Sequence, residues 1–475
     1  MTWRHTEGLA ARGGAAQGGA GESSRLQAAD MSALRLRPGR GGLIADAIRT
    51  SEGGCVVLRS RLVPTPASGQ WLLDLLVGQV PQVSWAAAGR LPSGFSTTEQ
   101  FALLPTSGDR TFLVSLASRA ATISALTSYN ALRTPRRRLA RRALALGLMA
   151  GQADRLLASR VDVGTSAGAG LGGSDYLIGD RLRTLFGRDE LCIAVGGGSG
   201  PYRKPVLQVF AADGRPLGYV KVGWNEWSRD SVRREADALR ACAGRPMRLG
   251  VPALLDHGQW RGLDIVTTAP LPANARRVAG RPRLPATGLL REITELSPGQ
   301  VSDLAASRWW QQVRTRIAAL GERAGTESWL SAVADRLEGS HADAVLAFGA
   351  WHGDLVPWNL ARSGSRTYAW DWESSSLDAP VGLDALHFFF QVAFVERGVP
   401  LGQAAAYAAA QARPALRELG VADHAHSLLA VAHLLELALR HDEASACTGD
   451  RDERFFPAIT RLLGTPAPDS VELSR

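Results

Sequence analysis

The tightest constraint in this chain is the run Trp351-His352-Gly353-Asp354-Leu355-Val356-Pro357-Trp358-Asn359. Its aspartate and asparagine stand five positions apart, and the proline between them breaks a helix, so the run is a loop. Twelve residues beyond Asn359 comes Asp371-Trp372-Glu373, behind the strand-like Thr367-Tyr368-Ala369-Trp370. Asp, Asn, Gly and Pro are also the commonest turn formers, so a plain turn is the competing account. Phosphoryl transfer from ATP asks for this same short inventory. One carboxylate orients the attacking hydroxyl and accepts its proton, and oxygen ligands set magnesium against the β- and γ-phosphates.

Composition narrows the surroundings of that loop. With 475 residues, 45% of them hydrophobic, the chain has room for two or three domains and a sizeable core. No stretch of about 18 consecutive apolar residues occurs, so no membrane span is expected. The most apolar segment, Leu139 to Leu157, is broken by Arg141, Arg142, Gln152, Asp154 and Arg155. Residues 1–30 lack the apolar core of a secretory signal. Cys55, Cys192, Cys242 and Cys447 lie far apart without metal-like pairing, which suits a reducing cytoplasm. The net charge is +9, yet acidic residues are spread along the chain. The densest basic run, Arg136-Arg137-Arg138 with Arg141-Arg142, opens an alanine- and leucine-rich helix without interleaved aromatics. A solvated helix face explains it better than a nucleic-acid surface.

Along the chain, residues 1–42 form a low-complexity tail expected to be disordered, and Met31 could serve as the start. Residues 43–162 are expected to form an N-terminal α/β domain of unassigned role. It holds the apolar run Cys55 to Leu58, a helix near Trp71, and a hairpin from Phe101 to Val114 turning at Ser107-Gly108-Asp109-Arg110. A helix near Ala120 to Leu132 follows. Residues 163–173, Gly-rich but lacking a Gly-Lys-Ser/Thr ending, are expected to be a linker.

Three strand-like runs come next: Leu191 to Val195, Pro205 to Phe210 and Leu217 to Val222. A helix from about Arg229 carries Glu235, with Asp237 as its competitor. Short strands are expected at Val251 to Leu255 and Leu263 to Thr267. From Ala275 the chain is mostly helical, except Phe348 to Trp372. Trp309, Trp310, Trp329 and Phe388 to Phe390 are expected to be packing residues. The histidines at 387, 424, 426, 433 and 441 show no metal-ligand spacing.

The histidine, aspartate and asparagine of the loop repeat the spacing H-x-D-x-x-x-x-N of the kinase catalytic loop. Together with Asp371-Trp372-Glu373, Asp378-Ala379-Pro380 and Gly382-Leu383-Asp384, they resemble the signature of the aminoglycoside phosphotransferase and choline kinase-like superfamily. The resemblance covers about residues 175–475, with specific motifs only between 351 and 384. It implies an α+β, bilobal protein-kinase-like fold, with a β-rich lobe at 174–272 and a helical lobe at 273–475, preceded by the extra α/β domain. It implies Asp354 as catalytic base, Asn359 and Asp371 as magnesium ligands, and His352 as a support for the loop.

In that order of elements, Lys221 in the third strand can pair with the α- and β-phosphates of ATP while Glu235 on the next helix holds it. Gly196-Gly197-Gly198-Ser199-Gly200 occupies the place of a phosphate loop. Gly197, Gly198, Ser199 and Gly200 are the candidates for backbone contact with phosphate, although a hairpin tip would look the same. Arg203 and Lys204 either add charge there or face solvent. Backbone groups near Thr268 and Ala269 would meet the adenine.

The expected activity is ATP- and Mg2+-dependent transfer of the γ-phosphate to a hydroxyl of a small aminoglycoside-, choline- or sugar-like acceptor. Glu436, Asp442 and Glu443 are candidates for a cationic acceptor. The alternative is a catalytically weak nucleotide-binding regulatory protein. The Phe101–Val114 hairpin and its helix also resemble the Val206–Val222 hairpin and its helix. Aligning Arg110 with Arg215 sets Leu116 against Lys221, so the first copy lacks the lysine.

Overall fold

The computed structural model describes residues 67–77, 80–105, 110–128, 135–152, 156–166, 176–198, 204–278, 283–324, 329–449 and 455–464. The tail at 1–42 with Met31, the Cys55–Leu58 run, the turn at 107–109, residues 167–173, Ser199, Gly200 and Arg203 lie outside the described residues.

Alternation of apolar residues builds the first half. Helix α1 (Ala67–Val77) precedes β1 (Val83–Ala87), β2 (Phe95–Pro105) and β3 (Arg110–Ser115). Helices α2 (Arg119–Thr127) and α3 (Pro135–Met149), β4 (Arg160–Ser166) and α4 (Ile178–Phe186) follow. Then come β5 (Leu191–Gly198), β6 (Val206–Ala211), β7 (Pro216–Gly223), α5 (Glu226–Cys242), β8 (Leu254–Trp260) and β9 (Leu263–Thr268). All nine strands join one antiparallel sheet in the order β1-β4-β2-β3-β5-β6-β7-β9-β8.

That sheet crosses the boundary expected from sequence. Strand β3 pairs with β5 from Arg110 opposite Gly198 to Val114 opposite Ala194. Leu103, Leu113 and Val163 from the first region share one core with Ile193, Leu207, Val220 and Ile265. Helices α1 and α4 close that face. Residues 163–166, expected to begin the linker, are instead the end of β4, where Val163 is buried against the sheet.

The opposite face positions the site. Phe112, Gly196, Val206, Lys221 and Val266 are successive cross-strand partners and therefore point to the same side. Helix α2 packs on the Phe112 end through Ala121, Ala125 and Leu126, and α5 packs on the Val266 end through Val232 and Ala236. The two hairpin–helix units noted in the sequence thus lie in one sheet with their helices on one face. Leu116, the counterpart of Lys221, falls just past the end of β3.

The second half is mainly helical. After the short β10 (Arg276–Arg277) come α6 (Thr287–Thr294), β11 (Gln300–Asp303), α7 (Arg308–Ala324), α8 (Trp329–His341) and β12 (Val345–Trp351). Strands β13 (Leu360–Ser363), β14 (Arg366–Ala369) and β15 (Ser376–Pro380) lead to α9 (Leu383–Gln391), α10 (Leu401–Glu418), α11 (His426–Thr448) and α12 (Phe456–Gly464). Strands β11 and β15, which flank β12, were not anticipated, because four or five residues give too short a period to read. Trp309, Trp310, Phe388 and Phe390 sit in this half's core, as their bulk suggested. Among the described residues no helix is long and apolar enough to cross a membrane.

Candidate active site

The loop motif runs from the end of β12 to β13, with Pro357–Asn359 forming one turn of 3-10 helix. Its shape is imposed from below. The Asp384 carboxylate, in the first turn of α9, accepts the backbone N–H of His352 (2.8 Å) and of Gly353 (3.0 Å). Gly353 has φ of +76°, and a Cβ there would stand 2.0 Å from the Ser374 carbonyl oxygen, so only glycine fits. Arg440 of α11 stacks over Trp351 at 4.3 Å and donates to the carbonyls of Gly353 (3.0 Å) and Ser374 (2.9 Å). One guanidinium therefore ties the aspartate loop to the turn that follows Asp371.

Asp354 is buried, and both its carboxylate oxygens have partners. Asn359 Nδ2 donates to one (2.9 Å) and to the Asp354 carbonyl (3.0 Å), while His387 Nε2 meets the other (3.1 Å). Burial works to raise the Asp354 carboxyl, but the hydrogen bond from His387 and the nearby positive charge together outweigh it, so the group stays below its ordinary value. It is a carboxylate at neutral pH. His387 Nδ1 in turn lies 3.2 Å from His433 Nε2, and His433 is held far below its usual value by burial, His387 and Arg440. His352 is fully buried and pushed down to about 4 by that burial, which fits a support and not a proton carrier.

Lys221 meets its expected partner. Its Nζ lies 2.5 Å from Glu235 Oε2, pairs with Asp371, and reaches Glu373 Oε2 at 3.3 Å. Helix α5 can offer Glu235 because it starts at Glu226, three residues before the expected Arg229. Asn225 Oδ1 accepts the Ser228 N–H (2.8 Å), and Ser228 Oγ accepts the Asn225 N–H (3.0 Å), a reciprocal cap that fixes the start. Asp237 points elsewhere, pairing with Arg240 at the surface. Asp371 has φ of +71°, a left-handed conformation uncommon outside glycine, which turns it toward Lys221.

A third carboxylate, unassigned from sequence, and Lys204, which the sequence left between adding charge and facing solvent, complete the cluster. Glu373, two residues after Asp371, forms an ion pair with Lys204 Nζ at 2.7 Å as well as with Lys221. Ligand oxygens of Glu235, Asp371 and Glu373 lie within 4.8 Å of one another, a hard-oxygen set suited to magnesium. Burial raises the Glu235 carboxyl to about 7, with Lys221 opposing, and burial with Glu373 nearby raises Asp371. Burial would raise Glu373 too, but Lys204 and Lys221 outweigh it and hold it well below the carboxylate range. Asn359 is not one of these three: its side-chain amide donates to Asp354, and its carbonyl accepts the N–H of Trp370, the residue before Asp371, at 3.2 Å.

Other expected positions fall elsewhere. Gly197 and Gly198 belong to β5, opposite Thr111 and Arg110. A Cβ on Gly197 would sit 2.7 Å from Leu72 Cδ2, so its small size serves the α1 face, away from Lys221. The Ala269 N–H is bonded to the Ala253 carbonyl (2.8 Å) and is not a donor for adenine. Glu436 and Glu443 are both engaged by Arg316, at 2.9 and 2.7 Å, and Asp442 accepts Trp329 Nε1 at 2.7 Å. These carboxylates knit α7, α8 and α11 together and are not a free acidic patch.

No protein-family profile matches the chain, and no curated protein matches it. Solved structures do align with it. One, described as a fructosamine-3-kinase from Haemophilus somnus 129PT, shares 10% identity over 60% of this chain and 95% of its own, with a TM-score of 0.39. The gentamicin complex of APH(2″)-IIa shares 13% over 62% and 98%, with a TM-score of 0.37. A glucosamine kinase shares 14% over 84% and 97%, with a TM-score of 0.28.

Proposed function

We propose that the chain transfers the γ-phosphate of ATP to a hydroxyl of a small molecule. The observation that carries this reading is convergence: Lys221 and Glu235 from the sheet lobe meet Asp371 from the helical lobe, and Asp354, bonded to Asn359, is near enough for its charge to act on Asp371. Phosphoryl transfer is mostly positioning and charge neutralisation, and this arrangement supplies both. Lys221 neutralises phosphate oxygens, and Glu235 keeps its ammonium in place. Asp354, ionised and fixed by His387 and Asn359, orients the acceptor hydroxyl and takes its proton. Asn359 and Asp371 would hold magnesium, with Glu373 and Glu235 within reach; the metal would supply charge neutralisation between the β- and γ-phosphates. Asp354 is only 4% exposed, so little of it is open to solvent.

The test is Mg2+-dependent ATP consumption with a panel of aminoglycosides, choline and amino sugars. Asp371→Ala and Asn359→Ala should each raise the magnesium needed for half-maximal activity, Asp371→Ala more, because it removes a formal charge. Consumption that is equal with and without divalent metal would sink the reading.

A further inference from the structure

We propose that Lys204 is a second phosphate-binding lysine, which pairs with Glu373 in this structure and turns to the terminal phosphates of a bound nucleotide. This inference rests on the phosphotransferase reading and deepens it. Lys204 stands two residues before β6, which pairs antiparallel with β5. A lysine in a hairpin stem ordinarily sends its ammonium to water. Here the side chain is only 6% exposed. Its Nζ lies 2.7 Å from Glu373 Oε2 and 4.6 Å from the centre of the Trp227 ring on α5. Removing an ammonium from water is expensive, and a carboxylate plus an aromatic face offset that cost. This charge is therefore buried, sharing Glu373 with Lys221, and not at the surface.

The charge balance of the cluster says what the ammonium is for. Lys204 and Lys221 share the cluster with three carboxyl groups, Glu235, Asp371 and Glu373, of which Glu373 pairs with both lysines. Such a cluster repels a triphosphate unless its carboxylates engage a cation and its ammoniums turn to phosphate oxygens. Lys221 is held on two sides, by Glu235 from α5 and by Asp371 from the other lobe. Lys204 has a single carboxylate partner among the described residues, and Glu373 keeps Lys221 when Lys204 leaves. Lys204 is thus the ammonium that can move at the smaller loss. Its flexible stem suits the outer phosphates, while Lys221, held on two sides, serves the inner ones.

The experiment is calorimetric titration of the full chain with Mg·ATP, Mg·ADP and adenosine. Lys204→Met, which keeps the length of the side chain, should weaken Mg·ATP by about 10- to 100-fold, the worth of one charge-assisted phosphate contact. Mg·ADP should lose less, and adenosine should be unchanged. Lys204→Arg should keep most of the affinity. In a Glu373→Gln background, Lys204→Met should still weaken Mg·ATP to the same degree. If the loss vanishes in that background, Lys204 only neutralises Glu373 and the inference is overturned. Equal losses for adenosine, or no loss for Mg·ATP, overturn it too. Should Lys204→Met not fold, Lys204→Gln read as the ratio of ATP to adenosine affinity decides the matter by the same outcomes. Failure of the unaltered chain to bind Mg·ATP would instead bring down the phosphotransferase reading itself, a result distinct from all of these.

Discussion

Lys221 cannot be replaced without disturbing three carboxylates at once. Burial lowers its ammonium, yet Asp371, Glu235 and Glu373 together hold it well above its ordinary value. Lys221→Ala and Glu235→Ala should each weaken Mg·ATP binding, the lysine change more. Because the pair acts as a unit, the double variant should lose less than the sum of the two, and full additivity would mean that the ion pair contributes nothing. Glu235 also makes a prediction about pH. Its carboxyl is raised to about 7 from an unfolded value of 4.5, so the folded chain binds the extra proton between those values. The associated stability is fully present below about 4.5 and fades as pH rises through about 7. The melting temperature should therefore fall more between pH 5 and pH 8 for the unaltered chain than for Glu235→Gln; parallel profiles would contradict the assignment.

The loop between β12 and β13 owes its shape to α9 and α11 more than to itself. Asp384 caps it by accepting two buried N–H groups, and Asp384→Ala would orphan both, at about 1–3 kcal/mol each. The expected result is a drop of several degrees in melting temperature and a loss of activity, with Asp384→Asn intermediate; an unchanged melt would show that the loop stands alone. The sequence announced the loop because its chemistry is compressed into nine residues, and it announced Lys221 and Glu235 because a strand followed by a helix fixes their relation. His387 and His433 were legible only as residues without metal spacing. Their partnership links α9 to α11 across 46 positions, and no local pattern encodes it. Lys204 was obscured for a related reason: a lysine beside glycines looks solvated until Trp227 and Glu373 are seen around it. The acidic residues of α11 misled in the opposite sense, since the arginine that consumes Glu436 and Glu443 stands 120 and more residues away on α7.

Across the molecule, the lobes are joined behind the cleft as well as in it. Arg323 of α7 pairs with Glu226 at the start of α5 (2.8 Å), and Arg234 of α5 donates to the Glu373 carbonyl (3.0 Å), so the helix bearing Glu235 is braced by the second lobe. The shared nine-stranded sheet has a further consequence. A fragment beginning at Leu171 would remove β1 to β4 with α1 to α3, and would uncover Ile193, Val195 and the edge of β5. An exposed apolar strand edge invites aggregation, so this fragment should be insoluble or lack a cooperative melt. A soluble fragment with unchanged melting would show that the two regions are independent. The central claim, that Asp354 accepts the proton of a hydroxyl attacking ATP, is met most directly by following labelled γ-phosphate from ATP into the panel of acceptors. The unaltered chain should label at least one acceptor. Asp354→Asn, which keeps the shape but cannot take the proton, should bind Mg·ATP normally and label that acceptor about 100- to 10,000-fold more slowly. Transfer at the same rate in both proteins would contradict the account.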